Sequence, residues 1–490
     1  MRPISAASVV TLAGFGALAA WLAWRSLPWP LIHDVALMHY AAWRIGEGAV
    51  PYRDLFDMNQ PGTYLVHRAV LATLGAGDLA WRLFDLLWLT ATAGAIAVFA
   101  ASWGRRAAAS GAVVFVTYHL AGGAWQAGQR DFLLCVFLLV GALGVARWLE
   151  QGRLAGLVIS GAALGAGITV KPHALLFAGA LAALVAVAAA RACGAAAAAG
   201  TTAIFLAATA VAPLAVLGWL AAAGGLGAWR DILTGYLVPL YSRLGRTSSW
   251  SVYRWHAWIP LALAVALSLV EAARQRRAGA RHLVAALGLA YGVAHYVVQG
   301  KGWEYHLYPL AAFAAVLVAA ELPAALAARR RLVAGALTAS LAAALSLLGA
   351  KGLEAAPAAS WWDRERTVRM VEADLRAGLE PGDTVQVLDT TGGGIHALLR
   401  LGVREPTRFL YDFQFFHDEQ APAVQALRAE FIRDLDARPP RAIVLFERGW
   451  PAGGYERVER FPALAEWLRD RYELVLTRPA YRLYAKRHGS

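Results

Sequence analysis

One acid and three cations hold most of the chemistry available in the apolar part of this chain. Asp34 directly follows the first long apolar run, in Pro30-Leu31-Ile32-His33-Asp34, and Arg130, Lys171 and Lys301 each stand where a later apolar run begins or ends. A carboxylate at the hydrocarbon edge is costly unless it faces a polar cavity, and in such a cavity it is suited to take a proton from a hydroxyl. Three cations near that acid would hold a phosphate as leaving group, Arg through two parallel hydrogen bonds and Lys as a point charge. The plain alternatives are an exposed loop carboxylate for Asp34 and snorkelling to headgroups for each cation. His306 and His173 would add donors or a general acid, or serve as interfacial polar side chains.

These residues must be positioned by membrane helices. The chain has 490 residues, 59% hydrophobic and 16% charged, with a mean hydropathy of +0.47, which indicates a polytopic membrane protein rather than a soluble one. Apolar stretches at 4–24, 80–103, 107–123, 131–149, 154–170, 173–190, 195–222, 256–272, 281–298, 305–322 and 332–350 predict eleven spans. The shorter apolar stretch 62–75, interrupted by His67 and Arg68, is read as non-spanning. With that choice, Arg105, Arg106, Arg147, Arg153, Arg191, Arg274, Arg276, Arg277, Arg281 and Arg329 to Arg331 all fall in inside loops, as the positive-inside rule asks. The N-terminus is then cytoplasmic and the C-terminal segment extracytoplasmic.

On that map every strongly polar motif faces outward: His33-Asp34, Asn59-Gln60-Pro61, Gln129-Arg130-Asp131, Lys171-Pro172-His173 and Gln299-Gly300-Lys301-Gly302-Trp303-Glu304-Tyr305-His306. Two long outer loops accompany them, 25–79 and 223–255, the second rich in Trp229, Tyr236, Tyr241, Arg243, Arg246, Trp250, Tyr253 and Arg254 and suited to lie along headgroups. The net charge of +13 resides in the first 354 residues, with 26 Lys/Arg against 13 Asp/Glu; the remainder carries 20 of each. No soluble part is basic, so nucleic acid is not an expected partner. Cys135 and Cys193 sit in apolar segments and predict neither a disulfide framework nor a thiolate metal site.

From Ala355 the composition becomes that of a soluble domain. Short β-type runs at Thr384–Leu388, Ala442–Phe446, Tyr472–Leu476 and Tyr481–Lys486 alternate with helical patterns at 364–377, 421–436 and 461–471, predicting a small α/β domain. Gly392-Gly393-Gly394 follows a strand and opens a helix; it reads as a turn more readily than as a phosphate cradle, since the full dinucleotide pattern is missing. The expected organisation is a membrane domain, 1–354, and an extracytoplasmic α/β domain, 355–490.

The first outer loop resembles that of the polytopic GT-C glycosyltransferases, the superfamily that includes protein O-mannosyltransferases and aminoarabinose lipid A transferases. The resemblance rests on an acid after the first span, the amphipathic stretch Tyr40 to Gly48, the Pro51-Tyr52-Arg53-Asp54 turn and the Asn59-Gln60-Pro61-Gly62 element. Gln129-Arg130-Asp131, Lys171-Pro172-His173 and the 299–306 stretch are similar to later outer motifs of the same superfamily. The resemblance implies a GT-C-like helical bundle that moves a sugar from a polyprenyl-phosphate donor to an acceptor hydroxyl on a glycan, lipid or protein, with inversion. It implies Asp34 as the catalytic base, and Arg130, Lys171, Lys301 and His306 at the donor phosphate. His33, Tyr52, Arg53, Asp54, Asn59, Gln129, Asp131, Trp303 and Tyr305 would support substrate or loops. Val35 stands where the family often has a second acid, which weakens a paired-carboxylate metal site; no metal residue is assigned and a divalent metal is left open. The Ala- and Arg-rich composition points to a bacterial plasma membrane. A transporter or lipid flippase is the competing reading, and a scaffold whose outer domain binds a partner is a third.

Overall fold

The computed structural model describes residues 6–247 and 255–487; Trp250, Tyr253 and Arg254 of the second outer loop lie outside the described residues. The chain divides into two compact units. One comprises Met1–Trp29, Arg82–Val216 and Thr247–Ser360, the other Pro30–Trp81, Leu217–Arg246 and Trp361–Ser490.

Each of the eleven expected apolar stretches contains a helix. Among the described residues eight helices are long and apolar enough to cross a membrane, so the chain is a multi-pass membrane protein. Two of the others, Arg105–Ala121 and Leu154–Val170, have 17 residues each, about 26 Å of helix. The stretch near 62–75 forms the 13-residue helix Pro61–Thr73, about 20 Å long and so too short to cross. The expected span 305–322 is not one continuous helix. It runs as a 3-10 turn Glu304–Leu307, a helix Tyr308–Leu317, a turn, and a helix Leu322–Ala327. Pro323 in the first turn of the last piece lacks the amide that continuity needs. Glu321, just before it, is drawn to Arg277 and to His282.

In the first unit, Arg130–Gln151 and Leu154–Val170 form a tight antiparallel hairpin closed by Gly152 at φ 71°. Small residues set its spacing: a Cβ on Gly144 would lie 2.4 Å from the Gly156 carbonyl oxygen, and one on Gly156 would lie 2.6 Å from that of Gly144. The Ser160 hydroxyl donates across the hairpin to the Gly141 carbonyl at 2.6 Å. Without a hydrophobic force between helices in lipid, this close backbone contact and interhelical bond hold the pair. The hairpin therefore returns Lys171, just past its second helix, to the level of Asp131 at the start of its first.

The opposite helix ends of this unit are held by arginines. Arg281 pairs with Glu150 at 2.9 Å and donates to the Phe99 carbonyl at 2.7 Å; Arg277 pairs with Glu321, and Arg330 with Glu271. Polar motifs and arginine clusters thus gather at different ends of the same helices, as the sequence pattern expects.

The second unit joins residues 30–81 and 217–246 to the C-terminal segment. Its four-stranded sheet has the order β1-β2-β4-β3, with β1 (Val385–Leu388), β2 (Ala442–Phe446), β3 (Tyr472–Thr477) and β4 (Tyr481–Lys486). β1 and β2 pair in parallel, and both pairs made by β4 are antiparallel. β1 and β2 are buried throughout and read as unbroken apolar runs, whereas β3 exposes most of its residues. The first loop is stitched to this domain. Tyr40 Oη donates to the Val403 carbonyl at 3.2 Å and accepts from the Glu405 amide at 3.0 Å, and the Phe56 amide donates to the Arg408 carbonyl at 2.6 Å. Tyr236, on the π-helical turn Leu233–Tyr241, meets His417 Nε2 at 2.6 Å.

Candidate functional site

In the second unit Asp34 is the first residue of the helix Asp34–Gly46, where a carboxylate is favoured by the helix dipole. Before it, His33 is held at φ 53°, ψ −131°, a region costing a residue with a Cβ about 1–3 kcal/mol. The segment is fixed from behind by Asp78, whose carboxylate accepts from the Leu31 amide at 3.1 Å and from His396 Nε2 at 3.0 Å and pairs with Arg400. Loss of solvent, then the charge of Arg364, holds His33 down at about 3, so at neutral pH it adds no charge beside Asp34.

The rest of the loop that follows Asp34–Gly46 is organised by a buried acid, Asp57. Asp57 is fully buried and accepts from the Met58 amide at 2.7 Å, from Asn59 Nδ2 at 3.0 and 2.8 Å, and from the Tyr64 hydroxyl at 2.6 Å. Tyr52, at φ 66°, donates its hydroxyl to the Asn59 carbonyl at 2.5 Å. Tyr52 and Asn59 therefore support the loop from inside. Arg53 and Asp54 sit apart from them, paired with each other at 2.8 Å near the surface, while Asp54 accepts from the Val50 amide. Tyr64→Phe removes one charge-assisted bond to a buried carboxylate. It is expected to destabilise the protein by about 1.5–3 kcal/mol, read as a lower unfolding midpoint of the full chain in detergent; an unchanged midpoint would contradict Asp57 as the loop's organiser.

The Gly392-Gly393-Gly394 turn is already occupied by its own chain. The three amides donate to the Asp389 carboxylate at 2.7, 2.9 and 3.0 Å. Burial pushes the Asp389 carboxyl up against those three donors. The amides a phosphate would need are spent on an aspartate, in agreement with the turn reading.

In the first unit the polar motifs meet around Asp131, which is fully buried. Its carboxylate pairs with Lys171 Nζ at 2.8 Å, His295 Nε2 at 2.6 Å and Gln299 Nε2 at 3.0 Å. Tyr291, His295 and Gln299 recur every four residues and so form one stripe on the helix Ala280–Gln299. Gly300, at φ 62°, ends that helix and leads into Lys301, whose side chain is largely buried. Arg130, Lys171 and Asp131 all lie close enough to His306 to act on its charge, and the same three act on His173. His306 is buried, with Nδ1 lacking a hydrogen-bond partner among the described residues, and packs against Trp303 and Tyr305 with ring centroids at 5.5 and 4.6 Å. Gln129 is buried and donates to the Trp125 carbonyl at 3.1 Å. So Arg130, Asp131, Lys171, Trp303, Tyr305 and His306 come together; His295 was missed, because a lone histidine in an apolar run reads as core.

A second buried network was also missed. Asp85 pairs with Arg82, accepts from the Gly128 amide at 2.6 Å and meets His119 Nε2 at 3.0 Å; His119 Nδ1 meets the Tyr308 hydroxyl at 2.8 Å. In a neutral imidazole with Nε2–H on the carboxylate, Nδ1 accepts from Tyr308. Arg82 also donates to the Ser26 hydroxyl at 3.1 and 2.6 Å. This network fixes the loop that leads into Gln129-Arg130-Asp131. Its sequence signal is Arg82 and Asp85 three apart within an otherwise apolar run. Among the described residues no group of three or more His, Cys, Asp or Glu is arranged to hold a metal ion.

No protein-family profile and no curated protein matches the chain. Solved structures do. ArnT from Cupriavidus metallidurans in the apo state aligns with a TM-score of 0.61 at 15% identity, covering 98% of each chain. ArnT from the same organism bound to undecaprenyl phosphate gives 0.60 at 14% identity, covering 99% of each chain. An oligosaccharyltransferase from Archaeoglobus fulgidus aligns at 12% identity with a TM-score of 0.46, covering 97% of this chain and 75% of its own. Followed along nearly its whole length by ArnT, this multi-pass helical chain with its small C-terminal sheet has the GT-C fold.

Proposed function

We propose that this protein is a membrane glycosyltransferase that moves a sugar from a polyprenyl phosphate to an acceptor hydroxyl on the extracytoplasmic face. The observation that carries the reading is the end-to-end likeness to ArnT, one of whose structures holds undecaprenyl phosphate, together with the gathering of Arg130, Lys171 and the buried His306 imidazole at one end of the helices. In this mechanism Asp34 takes the proton of the acceptor hydroxyl. The acceptor oxygen bonds to the anomeric carbon as the bond from that carbon to the phosphate oxygen breaks, and the electron pair leaves with the lipid phosphate. Arg130, Lys171 and Lys301 stabilise the charge that develops on that phosphate, and buried His306 lends a donor. Displacement from the opposite side inverts the anomeric centre. The acceptor is a glycan, a lipid or a protein, and the protein acts in a bacterial plasma membrane with its N-terminus cytoplasmic and residues 355–490 outside.

The test is an assay of purified full chain in sealed proteoliposomes supplied with radiolabelled undecaprenyl-phosphate sugar and an envelope extract as acceptor. The expected result is label on the acceptor with matching release of undecaprenyl phosphate. Label that crosses the bilayer still joined to its lipid, without transfer, would replace this reading by a flippase.

A further inference from the structure

The arginine end of the first unit carries a groove that the transfer reading leaves unused. Its volume is about 530 Å3, and it lies between four helical segments, with Phe15, Val113, Leu326, Leu341 and Leu345 among its walls. Its charged lining is Arg105 and Arg106, the first two residues of the helix Arg105–Ala121. Arg105 is exposed and Arg106 half-buried. Three arginines at this end are neutralised: Arg277 by Glu321, Arg281 by Glu150 and Arg330 by Glu271. Among the described residues Arg105 and Arg106 form no ion pair and no side-chain hydrogen bond. The helix they open has no side-chain cap at Gly104, so its first amides lack that partner. An apolar trough with two uncompensated guanidiniums and uncapped amides at one helix start matches an acyl chain joined to a phosphodiester.

We infer that this groove binds an anionic phospholipid, its acyl chain along Phe15, Val113 and Leu341 and its phosphate at Arg105 and Arg106. The positive-inside pattern assigns the arginine end to the cytoplasmic leaflet, where anionic headgroups gather. The site is therefore separate from the one that holds the polyprenyl phosphate.

Native mass spectrometry of the full chain, released from nanodiscs of equal parts phosphatidylglycerol and phosphatidylcholine, tests this. The expected result is a retained phosphatidylglycerol adduct that falls about tenfold or more in Arg105→Ala/Arg106→Ala. It should fall likewise in Ala342→Phe, which narrows the trough and leaves both charges in place. Arg274→Ala, at the same end but outside the lining, should retain the adduct. Equal retention of the two lipids, or an adduct undiminished in both groove variants, would overturn the proposal. So would retention of undecaprenyl phosphate in preference to phosphatidylglycerol, sensitive to the same substitutions. Sugar transfer in the proteoliposome assay is expected to survive Ala342→Phe, so a failure of this site and a failure of the transferase reading give different results.

Discussion

Asp34→Asn is expected to lower the rate of sugar transfer by about 10²–10⁴-fold, the usual contribution of a positioned general base. The substitution keeps the size and shape of the side chain and removes its charge and, with it, its ability to take a proton. Asp34 lies in the first turn of its helix, so the helix-dipole part of what its charge contributes is about 0.3–1 kcal/mol. The segment's geometry is set from elsewhere, by the His33 backbone and by Asp78 on Leu31. Binding of undecaprenyl phosphate should therefore be unchanged while the rate at saturating donor collapses, a loss in kcat rather than in donor affinity. Measuring both on one preparation separates the base from a structural role. A variant that transfers at the wild-type rate would remove Asp34 from the mechanism.

The helices and strands were legible because each rests on a local pattern. Apolar runs of span length located eleven helices, and short β-type runs rich in aliphatic and aromatic residues located the four strands within a residue or two. The broken helix after Glu304 was less legible: Pro323 marks only where its last piece starts, while the partners of Glu321, Arg277 and His282, are about 40 residues away in sequence. At the site, the residue types and their common end were readable, but their partners were not. Asp131 and Lys171 are 40 positions apart and meet because Gly144 and Gly156 let two helices touch. His33 gave no sign of its positive φ, because sequence does not display backbone strain. The union of the first outer loop with the C-terminal domain depends on pairings such as Tyr40 with Glu405 and Phe56 with Arg408, hundreds of residues apart and without local signature.

The Asp131–Lys171 pair yields the other large effect, because the proposed mechanism asks Lys171 to serve two anions. Asp131 holds it at 2.8 Å in a buried setting, with Lys171 Nζ, His295 and Gln299 all on the same carboxylate. Lys171→Met leaves that carboxylate without its cation and is expected to destabilise the protein by about 3–5 kcal/mol. It should also weaken undecaprenyl phosphate binding about 10- to 100-fold, as loss of a charged hydrogen bond to phosphate would. Asp131→Asn should destabilise by a similar amount, since it breaks the buried ion pair from the other side, yet it ends the competition of that carboxylate with the lipid phosphate for Lys171 and should leave binding equal or tighter. The two substitutions thus move stability the same way and binding in opposite ways. In the double variant neither buried charge is stranded, so stability should recover most of the way, whereas binding stays as weak as in Lys171→Met. Unfolding midpoints and lipid affinities across the four proteins decide the matter. Recovery of both quantities together in the double variant would make the pair purely structural and leave the donor phosphate to Arg130 and Lys301.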